Sequence, residues 1–395
     1  MTDSTRSQSA PPALRRVLTF WPLVLYGLGV IVGAGIYVAT GAVIQRAGNA
    51  APFSFLFAGI AAGLTGLCYA ELASRVPEAS GSVGFIREGF SSRRLAQLAG
   101  VLLTVTVAIS TASIVHGAVL YIQELLPLPA GWLVTGLVVA FTAIGLLGVR
   151  ESVGLAALMS AIEIAGLIMA IAVGLASAPD YRLVDLVPLN LAALGNTFSG
   201  AFIAFFAFLG FETLANLAEE VQQPQRTLPR GILAAIAASL LLYVAVATAA
   251  VLGGATAVNP VLGLFAGRGA AAFAVLGSIA VANGVLVQIV MLARLFYGMA
   301  RNRQMPALFG RINRHTDTPG PATLLAGGIV LALPFERLLA LTNLLTLGLF
   351  VVVDLSLWRL HRRGPPPRGG FAAPRWVPPI AAAAALALIG AELLL

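Results

Sequence analysis

The sequence predicts an all-α polytopic membrane protein, and three observations carry that prediction. Of its 395 residues, 59% are hydrophobic and only 10% are charged, against about 25% charged in an average soluble domain. Apolar runs long enough to cross a bilayer recur along the whole chain. The 24 basic residues, all arginine, collect in alternate connecting segments. An ordinary soluble enzyme is excluded by the first observation, and a disordered chain by the same apolar content. The net charge of +8 does not indicate nucleic acid, because so apolar a chain has no polar surface on which to spread a basic face.

A hydrocarbon core about 30 Å thick takes about 20 helical residues. Eleven runs meet this description: 23–44, 53–72, 95–125, 131–149, 154–177, 194–217, 231–252, 270–300, 322–335, 338–357 and 377–395. The ninth reaches only about 21 Å as a helix, so it is either a short, shielded span or one distorted element with the tenth. Residues 1–22 form a polar tail. The first run is too long for the apolar core of a cleaved signal peptide and counts as a span. With the tail inside, nineteen arginines fall in inner segments, four (Arg46, Arg182, Arg268, Arg337) in outer ones, and Arg294 within a span. That bias predicts a cytoplasmic N-terminus in the cell membrane. The expected division is a ten-span core of two halves, 23–177 and 194–360, an inner loop 361–376 and an extra span 377–395.

The first span contains Gly27, Gly29, Gly33 and Gly35 within nine residues, and each glycine costs a helix about 1 kcal/mol relative to alanine. Close packing through Gly29 and Gly33 is one explanation. A dinucleotide-binding loop is not, since no strand precedes these glycines. The sixth span has its own interruption, Phe205-Phe206-Ala207-Phe208-Leu209-Gly210-Phe211-Glu212. Breaks at corresponding places in two halves point to a transporter of inverted repeats with its site at the midplane. An unwound segment exposes amide N–H groups that receive an anion and carbonyls that receive an ammonium.

Several motifs resemble the amino acid–polyamine–organocation superfamily. Gly33-Ala34-Gly35-Ile36-Tyr37 resembles the family's first break, and Tyr69-Ala70-Glu71-Leu72-Ala73-Ser74-Arg75-Val76-Pro77 the stretch after span two. Gly210-Phe211-Glu212, Asn216, Ala218-Glu219-Glu220, Pro224, Arg226 and Pro229-Arg230 follow its sixth span and loop, and Ala293-Arg294 with Met299 to Asn302 its eighth. The resemblance implies a five-plus-five, LeuT-type core working by alternating access, followed here by one extra span where the family usually has two. It also implies that amides near Ala34, Gly35 and Ile36 hold a carboxylate, with Gly33 among the substrate-binding residues. Carbonyls near Ile31, Phe206 and Leu209 would take an amino group, and Phe206 would close over the substrate as a gate. Ala207, Phe208 and Gly210 complete the lining, and by rougher matching Thr104 or Ala108 and Gln288 face the same site.

Ionisable groups at membrane depth are costly unless paired or hydrated. Glu163 lies near the middle of span five, where some proton-coupled relatives carry a lysine whose charge substitutes for a sodium ion. It is read as a proton carrier or cation ligand, the alternative being a structural hydrogen bond to the broken first span. Glu212 either titrates with the transport cycle or caps freed backbone. Glu71, Glu219 and Glu220 border inner arginines and suggest a gate network with Arg75, Arg226 or Arg230. Cys68 stands alone and His116, His315 and His361 are scattered, so neither a metal nor a cofactor is expected. With no GxSxG and no paired histidines, an intramembrane enzyme is the weaker reading. The expected function is secondary active, proton-coupled uptake of a neutral amino acid. The alternatives are an amino acid/amine exchanger and a cationic amino acid permease. The partners are the amino acid, H+ and the lipid bilayer, with the oligomeric state open.

Overall fold

The computed structural model describes residues 16–394 except 17, 77–80, 148, 178–185, 189, 219, 255–259, 266–269, 302–303, 314–315, 317, 334–337 and 366–368, and except the side chains of 34, 149–157, 260, 262 and 270. Among the described residues thirteen α-helices are seen: α1 (Phe20–Ala47), α2 (Ala51–Arg75), α3 (Gly81–Phe90), α4 (Arg93–Gln123), α5 (Ala130–Leu147), α6 (Val149–Ala176), α7 (Leu191–Ala204), α8 (Pro224–Leu252), α9 (Pro260–Gly263), α10 (Ala270–Arg301), α11 (Gly320–Ala332), α12 (Leu338–Arg363) and α13 (Val377–Leu394). Each of the eleven expected spans has a helical counterpart.

Local chemistry sets several helix ends. Ser92 Oγ accepts a hydrogen bond from Leu95 N at 3.2 Å to open α4, and Asn190 Oδ1 accepts from Ala193 N at 2.7 Å to open α7. Each satisfies an amide that a helix N-terminus leaves free. Pro52 and Pro224 sit in the first turns of α2 and α8, where a missing N–H costs nothing. The ninth span is a separate short helix, α11, ended by extended backbone at Leu333. Helix α3 was not anticipated from sequence. It lies between spans two and three and buries Phe85 and Ile86 as it packs on α4 and α12.

The halves interlock with a repeated logic. Helix α1 packs on α7, α2 on α8, α4 on α10, and α5 on α11, so four of the five spans of the first half meet their counterparts in the second. The cross-contacts repeat as well: α1 touches α8 as α7 touches α2, and α10 touches α6 as α4 touches α12. A pseudo-two-fold relation between the halves produces this pattern. The two interrupted helices thereby meet each other inside the bundle. Helix α13 stands outside this scheme and packs on α12, α2 and α7.

Candidate functional site

Helix α1 loses helical geometry at Gly33 (φ 2°, ψ −155°), and a second helical half starts at Gly35. In the sixth span the expected run to residue 217 is not one helix. Helix α7 ends at Ala204, Phe205–Phe208 forms a 3-10 turn, Leu209 is extended, and Phe211–Leu217 is a second 3-10 stretch. Between them Gly210 has φ +119°, a conformation that only glycine adopts cheaply.

The breaks cross in close contact at two points. A Cβ on Gly35 would stand 2.7 Å from Ala207 Cα and 3.3 Å from the Phe206 carbonyl oxygen. A Cβ on Gly210 would stand 2.9 Å from Val30 Cγ1 and 3.0 Å from the Val30 carbonyl oxygen. Both glycines are required by proximity, so the sequence pattern marked where two backbones touch. Phe206, Ala207 and Phe208 are buried at this crossing.

Tyr243 of α8, missed at the sequence level, bridges the breaks. Its hydroxyl lies 2.7 Å from the Ile31 carbonyl oxygen and 2.8 Å from that of Ala207. A phenol has one proton to donate, so two acceptors share one donor. Phe208 stacks edge-on against its ring at 5.0 Å, and Phe55 lies on it at 6.0 Å. One signal was available: a lone phenol in the aliphatic run Leu240–Val246 must find a polar partner when buried.

Of the three carbonyls expected to face an amino group, Ile31 is thus engaged by Tyr243, and Phe206 accepts from Leu209 N at 3.3 Å. Thr104 donates to the Gly100 carbonyl at 2.9 Å and lies 3.5 Å from Met299 Sδ. Gln288 Nε2 reaches Ser110 Oγ at 3.5 Å. Both therefore tie the α4–α10 seam, with Ala108 buried on the same helix α4, and neither hydrogen-bonds to the breaks. The side chain of Ala34 is outside the described set, as is Glu219.

Glu163 on α6 is 1% exposed, and neither carboxyl oxygen has a hydrogen-bond partner among the described residues. Its backbone carbonyl accepts from the Tyr37 hydroxyl at 3.0 Å, which ties α6 to the second half of α1. The Tyr37 carbonyl in turn accepts from Tyr121 at 3.1 Å. Asn283 of α10 lies close to the carboxyl, but its Nδ2 donates to Ser160 Oγ at 3.0 Å and its Oδ1 is left over. Ser160 Oγ itself fills the place a Gly29 side chain would take. Helices α1, α6 and α10 thus surround a polar spot beside the first break. Glu212 is different, because its Oε2 accepts from Gly210 N at 2.8 Å and caps the second break. No group of three or more His, Cys, Asp or Glu stands as a metal-ligand set among the described residues.

At the arginine-rich end, Glu71 is fully buried and accepts from Arg75 Nε at 2.8 Å, from His361 Nε2 at 2.9 Å and from Ala373 N at 2.8 Å. The expected Glu71–Arg75 pair is present, and His361, 290 residues away from Glu71, joins it. The segment before α1 closes the same end: Leu18 N donates to the Glu220 carbonyl at 3.0 Å and Gln222 N to the Leu18 carbonyl at 2.8 Å. Asp354, buried in α12, accepts from Thr65 Oγ1 at 3.1 Å.

Comparison with known proteins gives this arrangement a context. The amino acid permease family profile matches residues 18–393. A methylthioribose transporter of Bacillus subtilis is 31% identical over 94% of this chain and 87% of its own length. The branched-chain amino acid permease BcaP of the same organism is 29% identical over 92% and 84%. The vacuolar cationic amino acid transporter 2 of Arabidopsis thaliana is 30% identical over 90% of this chain, which spans 61% of that longer protein.

Proposed function

The chain belongs to the amino acid permease family, and from that premise we propose that it takes up a neutral amino acid together with a proton by alternating access. It is a transporter of LeuT-type architecture and not an enzyme. The observation that carries the proposal is the crossing of two helix breaks inside the bundle, with Gly35 against Ala207 and Gly210 against Val30.

Such a crossing supplies what a zwitterion needs. The second half of α1 begins at Gly35, and the first amides of a helix have no intrahelical acceptor. In this reading the N–H groups of Ala34, Gly35 and Ile36 receive the substrate carboxylate, favoured by the positive end of the half-helix dipole. The substrate ammonium goes to the carbonyls of Ile31, Phe206, Ala207 and Leu209. Tyr243 serves two of those carbonyls with one proton, so an incoming ammonium gains an acceptor that the phenol leaves unsatisfied. Phe206 covers the substrate. The lining of Phe206, Ala207 and Phe208 favours an uncharged side chain, since an acidic one would need a further basic group.

Glu163 is the proposed proton carrier. An ionised carboxylate without a partner at membrane depth costs several kcal/mol, so two oxygens without a partner among the described residues call for a proton or a cation. The Tyr37 hydroxyl on the second half of α1 donates to the Glu163 carbonyl at 3.0 Å, so the carboxyl is seated beside the first break. The arginine-rich end is assigned to the cytoplasm and the protein to the cell membrane. There Glu71, Arg75 and His361 with the Leu18–Glu220 pairing form the inner gate, while Glu212 serves as a cap. Uptake of a cationic amino acid is the second reading, favoured by the similarity to the plant cationic transporters.

Reconstitution into vesicles tests the reading. Accumulation of a labelled neutral amino acid under an inward proton gradient, without counter-substrate inside, is the expected result. Uptake only into vesicles preloaded with an amine or amino acid would replace symport with exchange. A thermal-shift screen of the twenty amino acids that stabilised none of them would remove amino acid transport altogether.

A further inference from the structure

A cavity of about 470 Å³ lies at the arginine-rich end, where α12 finishes and the chain turns toward α13. Its walls include Trp358, His361, Arg362, Arg363, Gly364 and Arg375. That volume falls within the roughly 300–1,000 Å³ of small-molecule pockets, and among the described residues the walls carry three guanidinium groups and no acid.

The two acids that touch its surroundings among the described residues do not neutralise it. Glu71 lies beneath and is already engaged by Arg75, His361 and Ala373 N. Glu88 on α3 is an exposed acid whose backbone carbonyl accepts from Arg363 Nη1 at 3.1 Å. Two of the three cations are also held in place. Arg363 donates to Ser91 Oγ at 3.2 Å as well, and Arg362 lies over the Trp358 ring at 5.3 Å from its centroid. His361 gives Nε2 to Glu71 while its Nδ1 is buried and has no partner among the described residues. Like charges fixed around a concavity repel one another and concentrate an anion between them. Guanidinium groups match phosphate oxygens in particular.

Position identifies the source of that anion. Two membrane helices end here, and Trp358 and Trp376 are 40% and 54% exposed, as indoles are at the level of lipid headgroups. Basic pockets at such junctions hold anionic headgroups. We propose that this cavity is a binding site for the phosphate group of an anionic phospholipid from the adjoining leaflet, separate from the substrate site at the crossed breaks.

The test is lipid retention by the purified, detergent-solubilised full chain, measured by native mass spectrometry with phosphatidylglycerol or phosphatidylcholine added. Wild type should keep phosphatidylglycerol in preference. The variant Arg362→Gln/Arg375→Gln should lose that preference by about tenfold or more, with its melting temperature close to wild type. A matched variant, Arg93→Gln/Arg94→Gln, removes the same charge at the start of α4, outside the cavity, and should keep it. Equal losses in both variants would reduce the effect to general surface charge and overturn the site. Retention unchanged in the first variant would overturn it too. Displacement of the lipid by millimolar inorganic phosphate would overturn the lipid assignment in favour of a free anion.

Discussion

Glu163 and Glu212 are the same residue type, each beside one of the two breaks, yet their surroundings divide them. The Glu212 carboxylate is held by the Gly210 amide at 2.8 Å, so its charge is spent on backbone that the broken helix leaves unsatisfied. Among the described residues, neither carboxyl oxygen of Glu163 has a hydrogen-bond partner, while its main chain is fixed through Tyr37. A fixed position with an uncommitted charge suits a group that must exchange a proton, and a committed charge suits a brace. Membrane depth does not by itself assign a role to an acid. The partners its oxygens already have decide between the two.

Removing the uncommitted charge should have the largest effect on transport. One proton moved down a gradient of one pH unit is worth about 1.4 kcal/mol, or about tenfold accumulation. With Glu163→Gln that accumulation should fall to equilibration, while counterflow between equal pools persists and the melting temperature holds. Concentrative, pH-driven uptake by this variant would move the carrier role elsewhere. Next comes the crossing itself. Gly210→Val adds bulk where a Cβ already meets Val30 at 2.9 Å and forces a branched residue to φ +119°. Overpacking and the left-handed backbone together cost about 2–5 kcal/mol, read as a lowered melting temperature and lost substrate stabilisation.

Much of this was legible in the sequence, for reasons that also mark where legibility ends. Span count and arginine sorting follow from composition along the chain, and the glycines announced both breaks because close backbone approach excludes a side chain. Tyr243 and Asn283 were not found, because each matters only through partners on other helices. His361 meets Glu71 across 290 residues, a distance no local pattern covers. The contacts of Thr104 and Gln288 across α4 and α10 were equally out of reach of a local pattern. Helices that are apolar on every side carry little information about which face points where. Helix α3 was missed because it is short and buries its apolar face only once α4 and α12 are present.

Two smaller substitutions sharpen the comparison of brace and carrier. Glu212→Ala leaves the Gly210 amide without its acceptor, at a cost of about 1–3 kcal/mol. Its melting temperature should drop while residual uptake keeps the pH dependence of wild type. An altered pH profile would make Glu212 a second carrier.

Tyr243→Phe should have the smallest effect. It removes a single hydroxyl and keeps the ring that packs on Phe55 and Phe208, so the loss is one hydrogen bond, about 1 kcal/mol. Both the Ile31 and Ala207 carbonyls then lose their shared donor. Without substrate the crossing loosens, whereas with substrate the ammonium can serve the same oxygens. The melting temperature of the empty protein should therefore fall by more than that of the substrate-saturated protein, and the ligand-induced shift should widen relative to wild type. An unchanged shift would mean that the ammonium and the phenol do not share these carbonyls, and would place the amino group elsewhere along the breaks.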